Sequence, residues 1–367
     1  MPRSLRVLQI ITDTDRRGAQ VFASDLGRAL GQRGHTVRTV ALRAGTQTPA
    51  LAVETLGRRS RSPRTLRALR RAMSAADITI AHGSSTLLAC AIAGIGRQRP
   101  FVYRQISDSR FWAGSFSRRL RVALYLRFPR RIVALSQRAS QTLVDHLGVN
   151  PRRIDVVPNG VPTGLFEPPT ASQRARARRD LTLADDVTVA SYVGALVPEK
   201  GVADVVAALR SLEGFVLEGF VLLVVGSGPE QALLESLASD LGERVRFLGA
   251  VAETAQVFAA SDLIVLPSRG GDSMPATLIE AGLCGLPTVS TPVGSIEDIV
   301  VDGQTGLIVP IGAIDQLAHA LGQLRLDPGL RERLGTNARE RCLTLFEIDV
   351  VALGWEHALY AAVTPRE

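Results

Sequence analysis

Short apolar runs alternate along the chain with longer stretches whose apolar residues recur at every third or fourth position. The runs are too uniformly apolar for strands wetted on one side, so they predict strands buried on both faces. The periodic stretches predict amphipathic helices. Strands are expected at Leu5–Ile11, His35–Arg43, Asp77–Ala81, Phe101–Arg104, Arg131–Leu135 and Ile154–Pro158, with helices at Ala19–Leu30, Pro63–Ala75, Thr86–Ile95 and Ser136–Leu147 between them. A polar, arginine-rich stretch containing Pro168-Pro169, residues Pro162–Arg179, then reads as a linker. The alternation restarts with strands at Val187–Val193, Val221–Val225, Val245–Leu248, Leu263–Leu266, Thr288–Ser290 and Gly306–Val309. Helices at Ile314–Leu326, Gly329–Leu345 and Ile348–Ala362 follow. The pentapeptide LEGFV stands twice in succession across Leu212–Val221, which predicts a loop of variable length.

Such alternation in both halves predicts an α/β protein with two Rossmann-like, doubly wound parallel sheets facing a cleft. A chain of 367 residues is long enough for two cores. The expected limits are 1–165 and 180–347, with 348–367 rejoining the first domain. Ligands bind doubly wound sheets at the carboxyl ends of the strands, so the loops there are the candidates for chemistry.

The most informative of these loops lies in Pro267–Val300. Pro267-Ser-Arg-Gly-Gly271 ends a buried strand, and Pro275 suits the first turn of the next helix. The amides of Ala276, Thr277 and Leu278 would then face the space above the strand and attract an anion. Asp272 is expected at the mouth of the crevice. Glu280, among Leu278, Ile279, Ala281 and Leu283, is expected to be partly buried and to need hydrogen-bond partners. A sugar would satisfy these acids; so would a backbone turn for Glu280 and solvent for Asp272.

Lys200 is the single lysine in a chain whose other 42 basic residues are arginine, and it falls at the strand-to-helix turn beginning at Gly194. A compact, flexible ammonium is one reason for such an exception, chance another. Gly18 opens the corresponding turn after the first strand, either for close approach to a ligand or as a simple tight turn. His82, at the end of its strand, either faces the crevice or is hydrogen-bonded within the fold.

Composition narrows the classes. Hydrophobic residues make up 46% and charged residues 21%, as in a globular protein. No apolar run is long enough for a membrane-spanning helix, and the start of the chain lacks the layout of a signal peptide, so a cytoplasmic protein is expected. Three scattered cysteines and five scattered histidines form no metal-binding spacing. The net charge of +8 is unevenly divided: Met1–Leu165 carries 28 arginines against 8 acids, a balance of +20, and the remainder −12. Phe111–Arg131 mixes Phe111, Trp112, Phe116, Leu120, Leu124 and Phe128 with six arginines, and seven more lie in Arg58–Arg71. That pattern fits either an amphipathic helix at the inner face of an anionic cell membrane or a core helix with a basic solvated side. Nucleic acid is the weakest reading of the basic half, which has no recognised binding module.

Taken in order, the Gly18-Ala-Gln20 loop, ALSQRASQTLVDHLGVNPRRIDVVPNGV from Ala134, VGALVPEKGV from Val193, VVGSGPE from Val224 and DSMPATLIEAGLCGLPTVSTPVGSIEDIV from Asp272 resemble the retaining GT-B glycosyltransferases of family 4, also called glycosyltransferases group 1. The resemblance covers nearly the whole chain. It implies a sugar transferase in which the second domain holds a nucleotide-diphosphate sugar and the acceptor is a saccharide, lipid-linked or small molecule. It also implies no cofactor or metal, and retention of anomeric configuration. By it, Lys200 contacts the diphosphate, Asp272 the donor sugar and Glu280 the ribose. Gly18, Gly194 and Ser273 to Thr277 line the site, and Asp272, Lys200 and His82 are the catalytic candidates. Four positions depart from the pattern: the usual Gly-Arg-Leu is Gly194-Ala195-Leu196, the double glycine is Arg17-Gly18, the first acid of the pair is Asp272 instead of Glu, and the expected histidine near the end of the fourth strand is absent from Arg104-Gln-Ile-Ser107. Arg17 or Arg104 is a candidate to restore the missing charge. The departures also leave open a catalytically weak GT-B protein that binds a nucleotide sugar as a partner in a glycan-assembly complex.

Overall fold

The structure, a computed structural model, describes residues 3–46, 50–96, 99–106, 116–212 and 214–364. Contacts divide the chain into a first unit, Met1–Val161 with Phe346–Glu367, and a second, Pro162–Leu345. Two parallel-sheet α/β domains are thus present.

In the first unit, β1 (Arg6–Ile11), β2 (Thr36–Ala41), β3 (Glu54–Thr55), β4 (Ile78–His82), β5 (Phe101–Arg104), β6 (Arg131–Ala134) and β7 (Ile154–Val156) form one parallel sheet in the order β3-β2-β1-β4-β5-β6-β7. The order reverses at β1, which pairs with both β2 and β4. Side chains alternate along a strand, and each face has its own cover. Leu8, Ile10, Ala81, Tyr103 and Ile132 face the helices Pro63–Ala75, Ser84–Gly94, Phe116–Tyr125 and Gln137–Leu147. Val7, Ile78, Ile80, Val102 and Val133 face the helices Gly18–Gln32 and Ile348–Val363, where Phe22, Leu26, Trp355 and Leu359 complete the layer. Residues 346–363 therefore belong structurally to the first unit although the second unit precedes them in the chain.

The second unit contains β8 (Thr188–Val193), β9 (Phe220–Val225), β10 (Val245–Gly249), β11 (Leu263–Leu266), β12 (Thr288–Ser290) and β13 (Gly306–Ile308), parallel and ordered β10-β9-β8-β11-β12-β13. All residues of β8, β9 and β11 are buried, which explains the unbroken apolar runs of β9 and β11. Here the order reverses between β8 and β11.

Three expectations need correction. The stretch expected as a linker contains a helix, Ala171–Asp180, started by a reciprocal cap between Thr170 and Gln173. The LEGFV repeat is not one loop: the first copy runs into the short helix Gly214–Glu218 and the second into β9, where Phe220 is buried. Pro275 caps the helix Ala276–Leu283 from outside, one position earlier than expected. Phe111 and Trp112 lie outside the described residues.

Cys90, Cys284 and Cys342 are buried and unpaired. Burial pushes all three thiols up, Cys284 and Cys342 to about 12. Dithionitrobenzoate at mildly alkaline pH should therefore label none of them in the native protein and all three after denaturation. Rapid labelling of a native thiol would contradict this packing.

Candidate functional site

The carboxyl ends of β8 and β11 meet where the strand order of the second unit reverses, the place where a doubly wound sheet opens a crevice. After β8 the chain passes through Gly194 to Val197, makes a tight turn at Pro198–Lys200, and enters the helix Val202–Ser211 through Gly201. After β11 it forms the loop Pro267–Pro275 and enters the helix Ala276–Leu283. The two loops are joined through their backbones: the amides of Arg269 and Gly270 donate to the Glu199 carbonyl at 2.8 and 3.2 Å.

Asp272 sits at this junction. One carboxylate oxygen pairs with the Lys200 ammonium and the other accepts from the Ser268 hydroxyl. It is only 8% exposed, so the expectation of an acid at the crevice mouth is corrected to a buried, doubly held one. Lys200 and Asp272, 72 residues apart in sequence, thus form an ion pair that spans the reversal.

Two glycines fix the Asp272 loop from opposite sides. Gly201 has φ +66°, and a Cβ there would collide with the Pro267 carbonyl oxygen; Gly294 has φ +60°, and a Cβ there would collide with the Asp272 carbonyl oxygen. The neighbouring Ser295 amide donates to the Ser273 carbonyl at 2.7 Å, and Met274 is buried beneath. The Leu278 amide donates to the Pro275 carbonyl at 3.2 Å, so it is not one of the open donors expected at this helix start. No side chain caps the helix.

Around the pair, Tyr192 donates its hydroxyl to the Ala195 carbonyl at 2.7 Å, beside Gly194. Burial, then the charges of Asp272 and Glu230, push its phenol up, so it remains a neutral donor. Arg269 reaches Asp204 at 2.8 Å. Glu280 is half-buried and accepts from the Thr254 hydroxyl at 3.3 Å; together with burial, its charge raises the Cys284 thiol. Lys200, Asp272, Ser273 to Thr277, Gly194 and Glu280 all belong to the second unit, whereas Gly18 and His82 belong to the first.

In the first unit Gly18 is exposed and opens the helix Gly18–Gln32. The loop before it is held by two buried acids: Asp13 accepts from Gln20 and Arg43, each at 3.0 Å, and Asp15 accepts from Arg17 at 2.7 Å and from the Thr46 amide at 2.7 Å. His82 is 2% exposed, and both ring nitrogens are engaged, one with the Gln9 side chain at 2.9 Å and one with the Arg104 guanidinium at 3.3 Å. Burial, then the nearby Arg104 charge, hold His82 well below its ordinary value and hence neutral. Arg104 lies 3.7 Å over the Phe22 ring and also donates to Asn159. Burial pulls it down to about 9, which leaves it charged at neutral pH. The Arg104 side chain is thus held within its own unit, whereas that of Arg17 pairs with Asp15 and stays 59% exposed.

Sequence reasoning missed Ser268, Tyr192 and the Arg269–Asp204 pair. Ser268 and Arg269 lie in the loop already singled out, but only the folded loop shows which of its residues turn toward Asp272. Among the described residues no group of three or more histidine, cysteine or acidic side chains could hold a metal ion, and no described helix is long and apolar enough to cross a membrane.

Residues 16–165 match the family described as Glycosyltransferase Family 4, and residues 173–341 that described as Glycosyl transferases group 1. D-inositol 3-phosphate glycosyltransferase of Actinosynnema mirum is 35% identical over 220 residues, 57% of this chain and 52% of that protein. Exopolysaccharide phosphotransferase SCO2592 of Streptomyces coelicolor is 28% identical over 82% of this chain and 30% of its own length. The matches thus span about half, or less, of the length of these curated relatives. The crystal structure of Anabaena Alr3699/HepE in complex with UDP-glucose superposes with a TM-score of 0.84 at 22% identity, covering 97% of this chain and 99% of that one. With the two family matches running in succession through both sheets, and the fold shared over nearly its full length, the chain belongs to the GT-B glycosyltransferases of the group 1 and family 4 type.

Proposed function

We propose that this protein transfers a sugar from a nucleotide-diphosphate sugar to a saccharide, lipid-linked or small acceptor, with retention of anomeric configuration and without a metal or other cofactor. The observation that carries the reading is the Lys200–Asp272 pair across the strand reversal. An ammonium beside the start of a helix is suited to a diphosphate, and charge building on the departing phosphate during transfer would be stabilised there. Asp272 would contact the donor sugar, Glu280 the ribose, and the backbone from Gly194 and from Ser273 to Thr277 would line the site. His82 would act as a neutral spacer holding Gln9 and Arg104. A cytoplasmic location goes with this reading.

The test is a thermal-shift screen of nucleotide sugars beginning with UDP-glucose, the ligand of the HepE structure, followed by transfer assays and determination of the product anomer by NMR. No stabilisation by any nucleotide sugar would remove the proposal. Binding without transfer to any acceptor would replace the enzyme with a nucleotide-sugar-binding partner.

The two acids should separate in that assay. A carboxylate on the ribose interacts equally in the ground and transition states, so Glu280→Gln should weaken binding of donor and of free nucleoside diphosphate by about tenfold with little change in kcat. Asp272, if it meets the sugar as positive charge develops, should act on turnover, and Asp272→Asn should lower kcat by about a hundredfold while diphosphate affinity holds. The reverse pattern would exchange or abolish these roles.

A further inference from the structure

The first unit carries a recess of about 550 Å³ that the donor site does not use, lined by Arg130, Arg131, Arg152 and Arg153 with Asn150 and the end of the helix Ile348–Val363. Chain direction places it on the sheet edge away from the usual ligand crevice. β5, β6 and β7 run parallel; Arg131 begins β6, and Arg152 and Arg153 belong to the tight turn Pro151–Arg153 that leads into β7. The Arg130 amide donates to the Phe101 carbonyl at the start of β5, at 2.8 Å. His82 and Arg104 stand at the opposite, carboxyl ends of their strands, and Lys200 and Asp272 belong to the second unit.

The guanidiniums of the recess are anchored. Arg153 donates to the Leu126 carbonyl at 2.9 Å and to the Pro129 carbonyl, Arg130 to the Thr364 carbonyl at 2.6 Å, and Arg131 to the Arg152 carbonyl at 3.2 Å. Carbonyls are neutral acceptors, so these bonds fix the side chains without cancelling their charge. Asp155 pairs with Arg131 through both carboxylate oxygens. Arg152 is exposed and its side chain has no partner among the described residues. The Asn150 side-chain oxygen is taken by the Arg152 amide at 2.9 Å, which leaves the Asn150 amide group as a further donor. Guanidiniums gathered in one concave place repel one another, and a multivalent anion relieves that repulsion.

We propose that this recess binds a small polyphosphate, a pyrophosphate group or longer, as a site of its own separate from the donor site. The lining selects that class. Planar, fixed guanidiniums match phosphate oxygens, and arginines on two strands and a turn are spread too widely for one phosphate to meet them all. The volume suits a small molecule. Among the described residues no aromatic ring lines the recess and Ala361 is its one apolar side chain, so it offers neither a stacking surface for a base nor a hold for an acyl chain. A bound polyphosphate would join the starts of β6 and β7 to the last turn of the helix Ile348–Val363. It would thereby hold in place the segment whose Trp355 and Leu359 complete the first unit's core.

The experiment is isothermal titration of the full chain with pyrophosphate, with orthophosphate and sulfate as comparisons at equal ionic strength. Pyrophosphate should bind at least tenfold more tightly than either, and less tightly as salt rises. Arg152→Gln should lower its affinity about tenfold and Arg130→Gln/Arg152→Gln about a hundredfold, because each change removes a charge-assisted contact to phosphate. Arg152 has no side-chain partner to lose, so Arg152→Gln reports binding even where the double variant is less stable. Amide hydrogen exchange over the last turns of the helix Ile348–Val363 should slow with pyrophosphate in the wild type and much less in Arg152→Gln. Lys200→Met is the control for the donor site, where pyrophosphate has a second place to sit, and binding that depends on Arg152 should persist in it. Equal affinity for pyrophosphate and sulfate, no binding at all, or unchanged affinity in the arginine variants would overturn the proposal. So would loss of all pyrophosphate binding in Lys200→Met. Failure of the donor-site reading leaves the dependence on Arg152 untouched, and the reverse.

Discussion

Replacing Lys200 with methionine should lower affinity for a nucleotide-diphosphate sugar by about tenfold to a hundredfold, because a hydrogen bond between charged groups contributes about 1.5 to 3 kcal/mol. The same change should destabilise the protein without any ligand. Asp272 is buried and its cation would be gone, leaving Ser268 as its remaining side-chain donor. Since Lys200 keeps part of its surface in water, a loss of about 1 to 3 kcal/mol is expected, below that of a fully buried pair. The two effects can be separated. Lys200→Met/Asp272→Asn removes both charges, so thermal stability should return toward wild type while donor binding stays low. Recovery of donor binding in the double variant, measured by titration calorimetry, would mean that Lys200 serves Asp272 alone and not a diphosphate.

Gly201→Ala should be worse for the fold than any single side-chain deletion at the site. A non-glycine residue at φ +66° is already strained, and the new methyl would meet the Pro267 carbonyl, which is backbone and cannot swing aside. A loss of about 3 to 5 kcal/mol in chemical denaturation is expected, together with loss of donor binding as the Lys200 turn and the Asp272 loop are forced apart. Gly31→Ala is the control. That glycine lies in the helix Gly18–Gln32 with nothing near its absent Cβ, so alanine there should stabilise by about 0.5 to 1 kcal/mol. A Gly201→Ala protein as stable as wild type would show that the two loops are not locked as described.

Much of the architecture could be read from apolar pattern alone because the sheets are covered on both sides. Runs such as LIVL at Leu263–Leu266 have no solvent-facing positions to blur them. The pattern was less informative where polar residues take core positions. Gln9, His82 and Arg104 occupy the face of β1, β4 and β5 that also carries Val7, Ile80 and Val102, with His82 bonded to both of the others, Gln9 also to the Ala23 carbonyl and Arg104 also to Asn159. No spacing along the chain reveals that arrangement, since the three residues are neighbours only across strands. LEGFV shows the same limit from the other direction: Gly214 to Val216 of the first copy are helical, whereas Phe220 and Val221 of the second lie in β9. The helix at Ala171–Asp180, by contrast, starts at a local sequence feature, the reciprocal cap of Thr170 and Gln173, which the linker reading did not take into account. At the site, the loops and Lys200 stood out by residue type, but the pairing of Lys200 with Asp272 did not. It depends on β8 and β11 lying side by side.

The return of residues 346–363 to the first sheet imposes an order on biosynthesis. A nascent chain grown as far as Leu345 already contains every strand of both sheets, and the second unit, continuous from Pro162, can close as a complete body. The first unit cannot. Its layer opposite the arginine-bearing helices still lacks Trp355, Ala358 and Leu359, so the apolar side of β4, β5 and β6 remains open while the whole second unit is translated. During that interval the first unit is the part of the chain most exposed to aggregation and to chaperone capture. Its final consolidation is a docking step between segments separated by almost the full length of the polypeptide.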